Sequence, residues 1–245
     1  MTYCVGLKMD RGLVFMSDTR TNAGLDNIST FTKMHTWSKT GDRVIVLLSA
    51  GNLATTQGVV SLIDERSKAP GDRHPSIFET PSMFQTARLI GQTVKEVIRD
   101  AAPGGQNADA FAASFILGGQ IKGGEPRLFY IYPEGNFIEC SADTPFFQIG
   151  EHKYGKPILV RAYDPAMTFE DAVKLLFVSF DSTLKSNLSV GLPLDLQLYE
   201  AGSLRLGVHK RIDRTDPYYA AISDGWSEAL KRAFQSLPAF KANSE

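Results

Sequence analysis

The chain opens with a hairpin sequence, residues 2–19, which reads TYCVGLKMDRGLVFMSDT. Residues 2–9 and 13–19 have the composition of two strands, and Asp10-Arg11-Gly12 has that of the turn joining them. Strands that follow each other directly along the chain pair antiparallel. The opening therefore predicts an antiparallel sheet and not an alternating βαβ fold.

Blocks of strands alternate with blocks of helices along the rest of the chain. After a polar loop at 20–29, the run at 44–49 is so continuously apolar that both its faces should be covered. The other predicted elements are strands at 30–38, 112–120, 127–132, 136–141, 146–149, 195–199 and 203–208, and helices at 52–68, 82–101, from 168 onward, and at about 224–237. This segregated order predicts an α+β fold, and the 245 residues fit one domain over 1–245.

Composition indicates an ordinary globular protein. A formal net charge of -1 gives no reason to expect nucleic acid or an anionic membrane as a partner, and no apolar run approaches the ~20 residues of a membrane span. The first six residues lack the features of a signal peptide, so we expect a cytoplasmic protein with its mature N-terminus at or beside residue 1. Cys4 and Cys140 are expected to be reduced core residues.

The most reactive group that the sequence offers is the threonine behind the initiator methionine. Once Met1 is removed, Thr2 carries a hydroxyl and a free α-amine whose ordinary pKa is about 7.7–8.0. That amine is suited to act as the general base for the neighbouring hydroxyl. Threonine is common at position 2, so the assignment depends on the residues expected around it.

Three further features fit such a site. Asp18 ends the second strand of the hairpin, and Lys33 lies in an otherwise uncharged stretch predicted as a strand. Because a half-buried lysine needs a partner, we expect Lys33 to pair with Asp18 and to point its ammonium toward Thr2. Gly51 ends an apolar strand where a helix begins, so its backbone N–H is a candidate oxyanion donor.

Together these residues resemble the proteasome β-subunit family of N-terminal-nucleophile (Ntn) hydrolases. The matching text is Thr2…Val5-Gly6, Ser17-Asp18-Thr19-Arg20, Lys33-Met34 and Ser49-Ala50-Gly51. Residues 1–7 and 17–24 resemble more specifically the bacterial branch called Anbu, the ancestral β-subunit. The resemblance implies a four-layer α-β-β-α sandwich of two antiparallel sheets, the Ntn-hydrolase fold, over essentially the whole chain.

The same resemblance implies a role for each matching residue. Thr2 would be the nucleophile and, through its amine, the base; Lys33 would tune that amine, Asp18 would hold Lys33, and the Gly51 N–H would bind the oxyanion. No cofactor is implied.

Three positions depart from the family pattern near the active amine. Asn187 stands where an acid is expected, Ser189 is displaced by one position, and Glu151 stands where a serine follows a glycine. These departures predict an altered hydrogen-bond network, and with it either a restricted substrate range or low activity against ordinary peptides.

Three functions remain open: a threonine-type peptidase, an amidase for isopeptide or γ-glutamyl-type bonds, and a non-catalytic assembly subunit. The resemblance implies self-assembly into a ring, double ring or open spiral, and leaves an ATPase partner undecided. The four histidines, at 35, 74, 152 and 209, lack metal-ligand spacing, so no metal is expected.

Overall fold

The protein is described by a computed structural model over residues 1–22, 28–68 and 75–240. Two parts of the sequence discussed above lie outside these ranges. They are positions 23 and 24 of the 17–24 motif, and residues 69–74 between the first two helices, which include His74. The strands are β1 (Tyr3–Met9), β2 (Gly12–Asp18), β3 (Arg20–Asn22), β4 (Ile28–Thr30), β5 (Met34–Lys39), β6 (Arg43–Gly51), β7 (Ala113–Ile121), β8 (Arg127–Ile131), β9 (Phe137–Glu139), β10 (Phe146–Gly150), β11 (Leu194–Glu200) and β12 (His209–Ile212). The helices are α1 (Leu53–Lys68), α2 (Met83–Ala101), α3 (Lys156–Ala162), α4 (Phe169–Ser186) and α5 (Pro217–Gln235).

These elements form the predicted α-β-β-α sandwich. One antiparallel sheet has the order β10-β1-β2-β11-β12 and the other β5-β6-β7-β8-β9. Three apolar clusters fill the spaces between the layers: one between α1 and α2 and the second sheet, one between α3 and α4 and the first sheet, and one between the two sheets. The predicted fold class is confirmed.

The opening hairpin is a central part of the first sheet. β1 pairs with β2 from Cys4 opposite Ser17 to Met9 opposite Gly12, and β10 and β11 extend the sheet on either side. The two sheets approach closely where residues lack side chains: a Cβ on Gly118 would lie 2.5 Å from the ring of Phe15. Small residues at this contact therefore set how closely the sheets pack.

The prediction for the apolar strand at 44–49 is confirmed. β6 lies between β5 and β7, and its residues from Val44 to Leu48 are fully buried. Alternate side chains enter two different apolar clusters, one facing the helices and one facing the other sheet. A strand covered on both faces needs apolar residues at every position, which explains its continuous pattern.

Side-chain caps begin three helices at the expected places. Asn52 Oδ1 accepts the Thr55 N–H at 3.0 Å, and Ser82 Oγ accepts the Gln85 N–H at 3.2 Å. Thr168 Oγ1 likewise accepts the Asp171 N–H at 3.1 Å. These oxygens satisfy N–H groups that have no partner inside the first helical turn.

The region before β5 differs from the prediction. Residues 28–30 pair with residues 20–22 as β3 and β4, and Lys33 precedes β5 instead of lying within a strand at 30–38. The Phe31 N–H donates to Thr19 O and the Ser49 N–H donates to Lys33 O. The chain therefore crosses from the first sheet to the second at this point, and Lys33 lies between them.

The prediction of a strand at 203–208 is wrong. The sequence has apolar residues at alternate positions, Leu204, Leu206 and Val208, as a strand would. In the structure residues 203–208 are irregular, and Leu204 adopts a positive φ of 46°. The strand that pairs with β11 begins at His209, directly after this segment.

The terminal helix begins earlier than the predicted residue 224. Asp216 Oδ1 accepts the N–H groups of Tyr218 and Tyr219, and Pro217 occupies the first turn, so α5 runs from Pro217 to Gln235. An aspartate followed by proline is a helix-start signal that the apolar pattern alone does not reveal. The short helix α3 was also not predicted.

A substitution at Gly91 tests how closely α2 packs on the β8–β9 turn. A Cβ at Gly91 would lie 2.1 Å from Gly135 O, so Gly91→Ala is expected to lower the free energy of unfolding by about 1–3 kcal/mol or more. Gly225→Ala on α5 is the matched control, because a Cβ there meets nothing within 4 Å and alanine favours the helix. Urea unfolding of both variants measures the difference, and equal unfolding midpoints would contradict the close contact.

Candidate active site

The centre of the candidate site is a buried ion pair. Lys33 Nζ lies 2.7 Å from Asp18 Oδ1, with side-chain exposures of 5% and 0%. Lys33 Nζ also donates to the backbone carbonyl of Arg20 at 2.6 Å. Asp18 is fixed at the end of β2 and Lys33 in the crossing segment before β5, so the pair joins the two sheets.

Both oxygens of the Asp18 carboxylate are hydrogen-bonded. The Tyr3 N–H donates to Oδ1 at 3.0 Å, and the Gly191 N–H donates to Oδ2 at 3.3 Å. Burial raises the pKa of the Asp18 carboxyl, and the Lys33 ammonium and the two N–H donors oppose that rise. The donors thus compensate part of the cost of holding the pair away from water.

Thr2 is joined to this pair through the backbone amide of the next residue. Its neighbour Tyr3 donates to the same Asp18 oxygen that binds Lys33, and the Thr2 carbonyl accepts the Glu151 N–H at 2.6 Å. Gly150 makes this approach possible, since its φ is +82° and a Cβ there would lie 1.9 Å from Thr2 O. Thr2 is half-buried and Met1 is 62% exposed.

Gly51 ends β6 next to the same segment. The Ser49 N–H points to Lys33 O, and the Asn52 N–H points the other way, to Ala112 O. Because successive N–H groups of a strand alternate in direction, the Gly51 N–H faces the side of Lys33. The β5–β6 register ends at Met34 opposite Leu48, whereas on its other edge β6 pairs with β7 up to Gly51 opposite Ala113, so the Gly51 N–H lies beyond the part of β6 that pairs with β5.

The three accessory residues form one network at the N-terminus. Asn187 Nδ2 donates to Glu151 Oε2 at 3.0 Å, and Asn187 Oδ1 accepts the Ser189 N–H at 2.9 Å. Asn187 Nδ2 also lies 4.0 Å from Met1 Sδ. Ser189 therefore enters through its backbone, whereas Glu151 and Asn187 enter through their side chains.

Sequence reasoning missed the parts played by Arg20 and Gly191. Arg20 donates from its guanidinium to Leu188 O at 2.9 Å, and a Cβ on Gly191 would lie 2.2 Å from the Arg20 Cζ. The two residues hold the loop after α4 against Asp18. Arg20 was part of the motif Ser17-Asp18-Thr19-Arg20, but no pattern in the sequence indicated that it contacts Leu188 and Gly191, about 170 residues further along the chain.

Cys4 is a packed residue and not a reactive thiol of the site. It is fully buried, and burial raises the pKa of its thiol far above the ordinary value. Within the described ranges no group of three His, Cys, Asp or Glu residues is placed to hold a metal ion. No helix in the same ranges is both long and apolar enough to cross a bilayer.

An open groove of about 1550 Å³ adjoins the site along β10. It reaches Gly150 and His152 at one end, and aromatic residues such as Tyr130, Phe146 and Tyr163 line its length. Thr2, Lys33 and Gly51 are not among its lining residues. The groove therefore neighbours the candidate site without containing it.

Comparison with known proteins decides the family. The family model described as proteasome subunit matches residues 2–191. The chain belongs to the proteasome subunit family. No curated protein matches it by sequence.

Solved structures narrow the family match to the Anbu branch. Anbu from Hyphomicrobium sp. strain MC1 is 51% identical over 98% of this chain and 100% of that one, with a TM-score of 0.90. Anbu from Yersinia bercovieri is 46% identical over 99% and 100%, with a TM-score of 0.91. A structure titled helical assembly of the Anbu complex from Pseudomonas aeruginosa is 43% identical over 99% and 100%, with a TM-score of 0.92. The resemblance to the Anbu branch is thereby confirmed.

The buried ion pair can be tested by removing its cation. Lys33→Met leaves the Asp18 carboxylate without its cation, so the free energy of unfolding is expected to fall by about 3–5 kcal/mol at neutral pH. Without Lys33 the pKa of Asp18 rises further. Because a protonated Asp18 needs no cation, the variant's loss of stability relative to the unchanged chain should grow as the pH rises through the folded-state pKa of Asp18, which burial raises above its ordinary value.

Lys174→Met is the matched control, since Lys174 pairs with Asp171 on the surface of α4, with both side chains about half exposed. It should leave the midpoint of urea unfolding unchanged. A Lys33→Met variant that unfolds at the same urea concentration as this control at every pH would show that the pair does not stabilise the fold.

Proposed function

We propose that the chain is a threonine-type hydrolase of peptide or related amide bonds, with Thr2 as nucleophile after removal of Met1. In this proposal residues 1–245 act as one domain, in a self-assembled cytoplasmic oligomer. The observation that carries it is the buried Lys33–Asp18 pair, which the Tyr3 N–H links directly to Thr2. A cation buried beside a potential nucleophile is costly, and it has a clear use in stabilising an alkoxide.

The proposed reaction assigns one step to each of these groups. The α-amine of Thr2 takes the proton of its own hydroxyl, and the resulting alkoxide attacks the substrate carbonyl carbon. The Gly51 N–H donates to the oxyanion of the tetrahedral intermediate, and Lys33 stabilises negative charge on the Thr2 oxygen. The ammonium then returns its proton to the leaving amine, which leaves an ester on Thr2.

Water completes the cycle. The freed amine takes a proton from a water molecule, and the hydroxide formed attacks the ester carbonyl. The second tetrahedral intermediate uses the same Gly51 donor, and its collapse releases the acid and restores the Thr2 hydroxyl. The Thr2 amine carries both protons: it passes the one from the Thr2 hydroxyl to the leaving amine, and the one from water to the Thr2 oxygen.

Two alternatives share the fold. A small-molecule amidase would use the same Thr2 chemistry on isopeptide or γ-glutamyl-type bonds, and a pure assembly subunit would use none of it. The placement of the pair favours a catalytic chain over the pure subunit, because the Tyr3 N–H connects Asp18 directly to the residue that would carry the nucleophile. A panel of peptide and γ-glutamyl anilide substrates distinguishes the peptidase from the small-molecule amidase.

Self-assembly is supported by α5. This 19-residue helix has no buried residue, and its apolar side chains Leu230, Phe234 and, just beyond it, Leu237 are 49%, 77% and 65% exposed. A face of this kind is typical of an interface. The Pseudomonas aeruginosa relative is described as a helical assembly, which favours an open spiral over a closed ring for this chain.

A threonine-directed electrophile tests the catalytic part of the proposal. A peptide epoxyketone is expected to add once per chain to Thr2, only in molecules that have lost Met1, and the adduct should be absent from Thr2→Ala. Thr36→Ala, at an exposed threonine of β5, should keep it. Intact-mass spectrometry measures all three, and a Met1-free chain that forms no adduct would rule out catalysis by Thr2.

The assembly part is tested through α5. Phe234→Ser is expected to reduce or abolish oligomers, because it removes a large apolar group from the proposed interface. Ile138→Ser, at a 44% exposed residue of β9, is the control and should not change the assembly. Light scattering after size-exclusion chromatography gives the masses. An unchanged chain eluting only as a 26.9 kDa species would contradict self-assembly.

A further inference from the structure

Glu151 presents a buried carboxylate whose cation is missing from the described part of the chain. The residue is 8% exposed, and its side chain contacts Asn187 Nδ2 at 3.0 Å and the Lys153 N–H at 3.4 Å. None of the ion pairs formed within residues 1–22, 28–68 and 75–240 includes Glu151. Because a buried carboxylate is costly without a cation, this group needs a partner.

The α-amine that Thr2 gains when Met1 is removed is the candidate for that partner. The Glu151 backbone N–H is 2.6 Å from Thr2 O, so the two residues are already joined across the end of β1 and β10. The Met1 side chain reaches the same network, with its Sδ 4.0 Å from Asn187 Nδ2. Removal of Met1 therefore uncovers this network at the moment when it creates a free α-amine on Thr2.

We propose that Glu151 is a positioning residue for Thr2, whose carboxylate, held by Asn187, serves as the counter-ion of the freed α-ammonium. The inference rests on the proposed function only for the removal of Met1. It gives two of the three departures from the family pattern, Asn187 and Glu151, a joint explanation. The acid expected at position 187 is an amide, and the adjacent serine position carries the acid instead, so a negative charge is retained and moved to Glu151.

Other charged groups act on the same amine. Lys33 and Asp18 lie on the other side of Thr2, Arg20 lies behind the loop after α4, and His152 and Lys153 follow Glu151 directly. The Lys33–Asp18 pair is nearly neutral as a unit and Arg20 is engaged with Leu188 O. Lys153 contacts Glu151 through its backbone N–H, and no cation of the described residues lies within ion-pair distance of the Glu151 carboxylate.

A carboxylate beside an ammonium favours the charged form, so the α-amine of Thr2 loses its proton at a higher pH than it would otherwise. Two consequences follow. The ammonium is held by Glu151 in a defined orientation toward the Thr2 hydroxyl, and the fraction of free base at neutral pH is reduced. In the reaction proposed above, this predicts a low rate at neutral pH that rises toward alkaline pH.

The α-amine can be titrated directly, without reliance on catalysis. A chain beginning at Thr2 is produced by cleavage of an N-terminal fusion, and trace acetylation with acetic anhydride is followed across pH by mass spectrometry of the N-terminal peptide. E151Q is expected to lower the pKa of the amine by about one unit. Glu125→Gln, at an exposed carboxylate in the β7–β8 turn, is the control and should not change it.

Restoring the charge gives the matching rescue. Adding Asn187→Asp to E151Q is expected to raise the pKa of the amine again, and N187D alone, which serves if E151Q does not fold, should raise it above that of the unchanged chain. The pH at which the epoxyketone adduct forms at half its maximal rate should move in step. An amine pKa that is the same with and without Glu151 would overturn the assignment, while the adduct itself would still decide the proposed function.

Discussion

The structure depends on one buried interaction, the ion pair between Lys33 and Asp18. Such a pair is tolerated only if its remaining hydrogen-bonding capacity is satisfied. Here Asp18 receives N–H groups from Tyr3 and Gly191, and Lys33 donates to Arg20 O. Four parts of the chain that are distant in sequence are thereby held together: the start of β1, the end of β2, the crossing before β5 and the loop after α4.

The sandwich explains why these parts meet. Thr2 precedes β1, Asp18 ends β2 and Gly150 ends β10, and the antiparallel register of the first sheet puts all three at one end of neighbouring strands. The second sheet contributes the end of β6, whose Ser49 N–H bonds the Lys33 carbonyl. Thr2, the Lys33 ammonium and the end of β6 at Gly51 thus come to the same end of the sandwich because the two sheets are stacked, and the buried Lys33–Asp18 pair is kept from water.

The sequence predicted the layers, the strand ends at Asp18 and Gly51 and the pairing of Lys33 with Asp18, because each follows from a local pattern, although Lys33 precedes β5 instead of lying within a strand. Apolar runs and capping residues mark the strands and helices, and a charge inside an apolar stretch marks Lys33. What could not be predicted depends on contacts between distant segments. Gly191 is needed because the Arg20 guanidinium fills the space where a side chain would be, and only the folded chain brings them together.

Glu151 and Asn187 show the same limit in the site itself. Each was recognisable as a departure from the family pattern, but their 3.0 Å contact, and hence their action as one unit, is a property of the fold. Local rules also failed where two signals competed. In the segment before β12, alternating apolar residues suggested a strand, whereas the positive φ of Leu204 and the adjoining glycines require an irregular chain.

The central claim is that the α-amine of Thr2 activates its own hydroxyl. The most direct test compares one preparation of the chain with Met1 retained and the same preparation after its removal by methionine aminopeptidase. The rate of acylation of the Thr2 hydroxyl by a β-lactone is then measured by mass spectrometry. We predict acylation of Thr2 only after Met1 is lost. Equal rates in the two forms would show that the amine is not the base and would contradict the account.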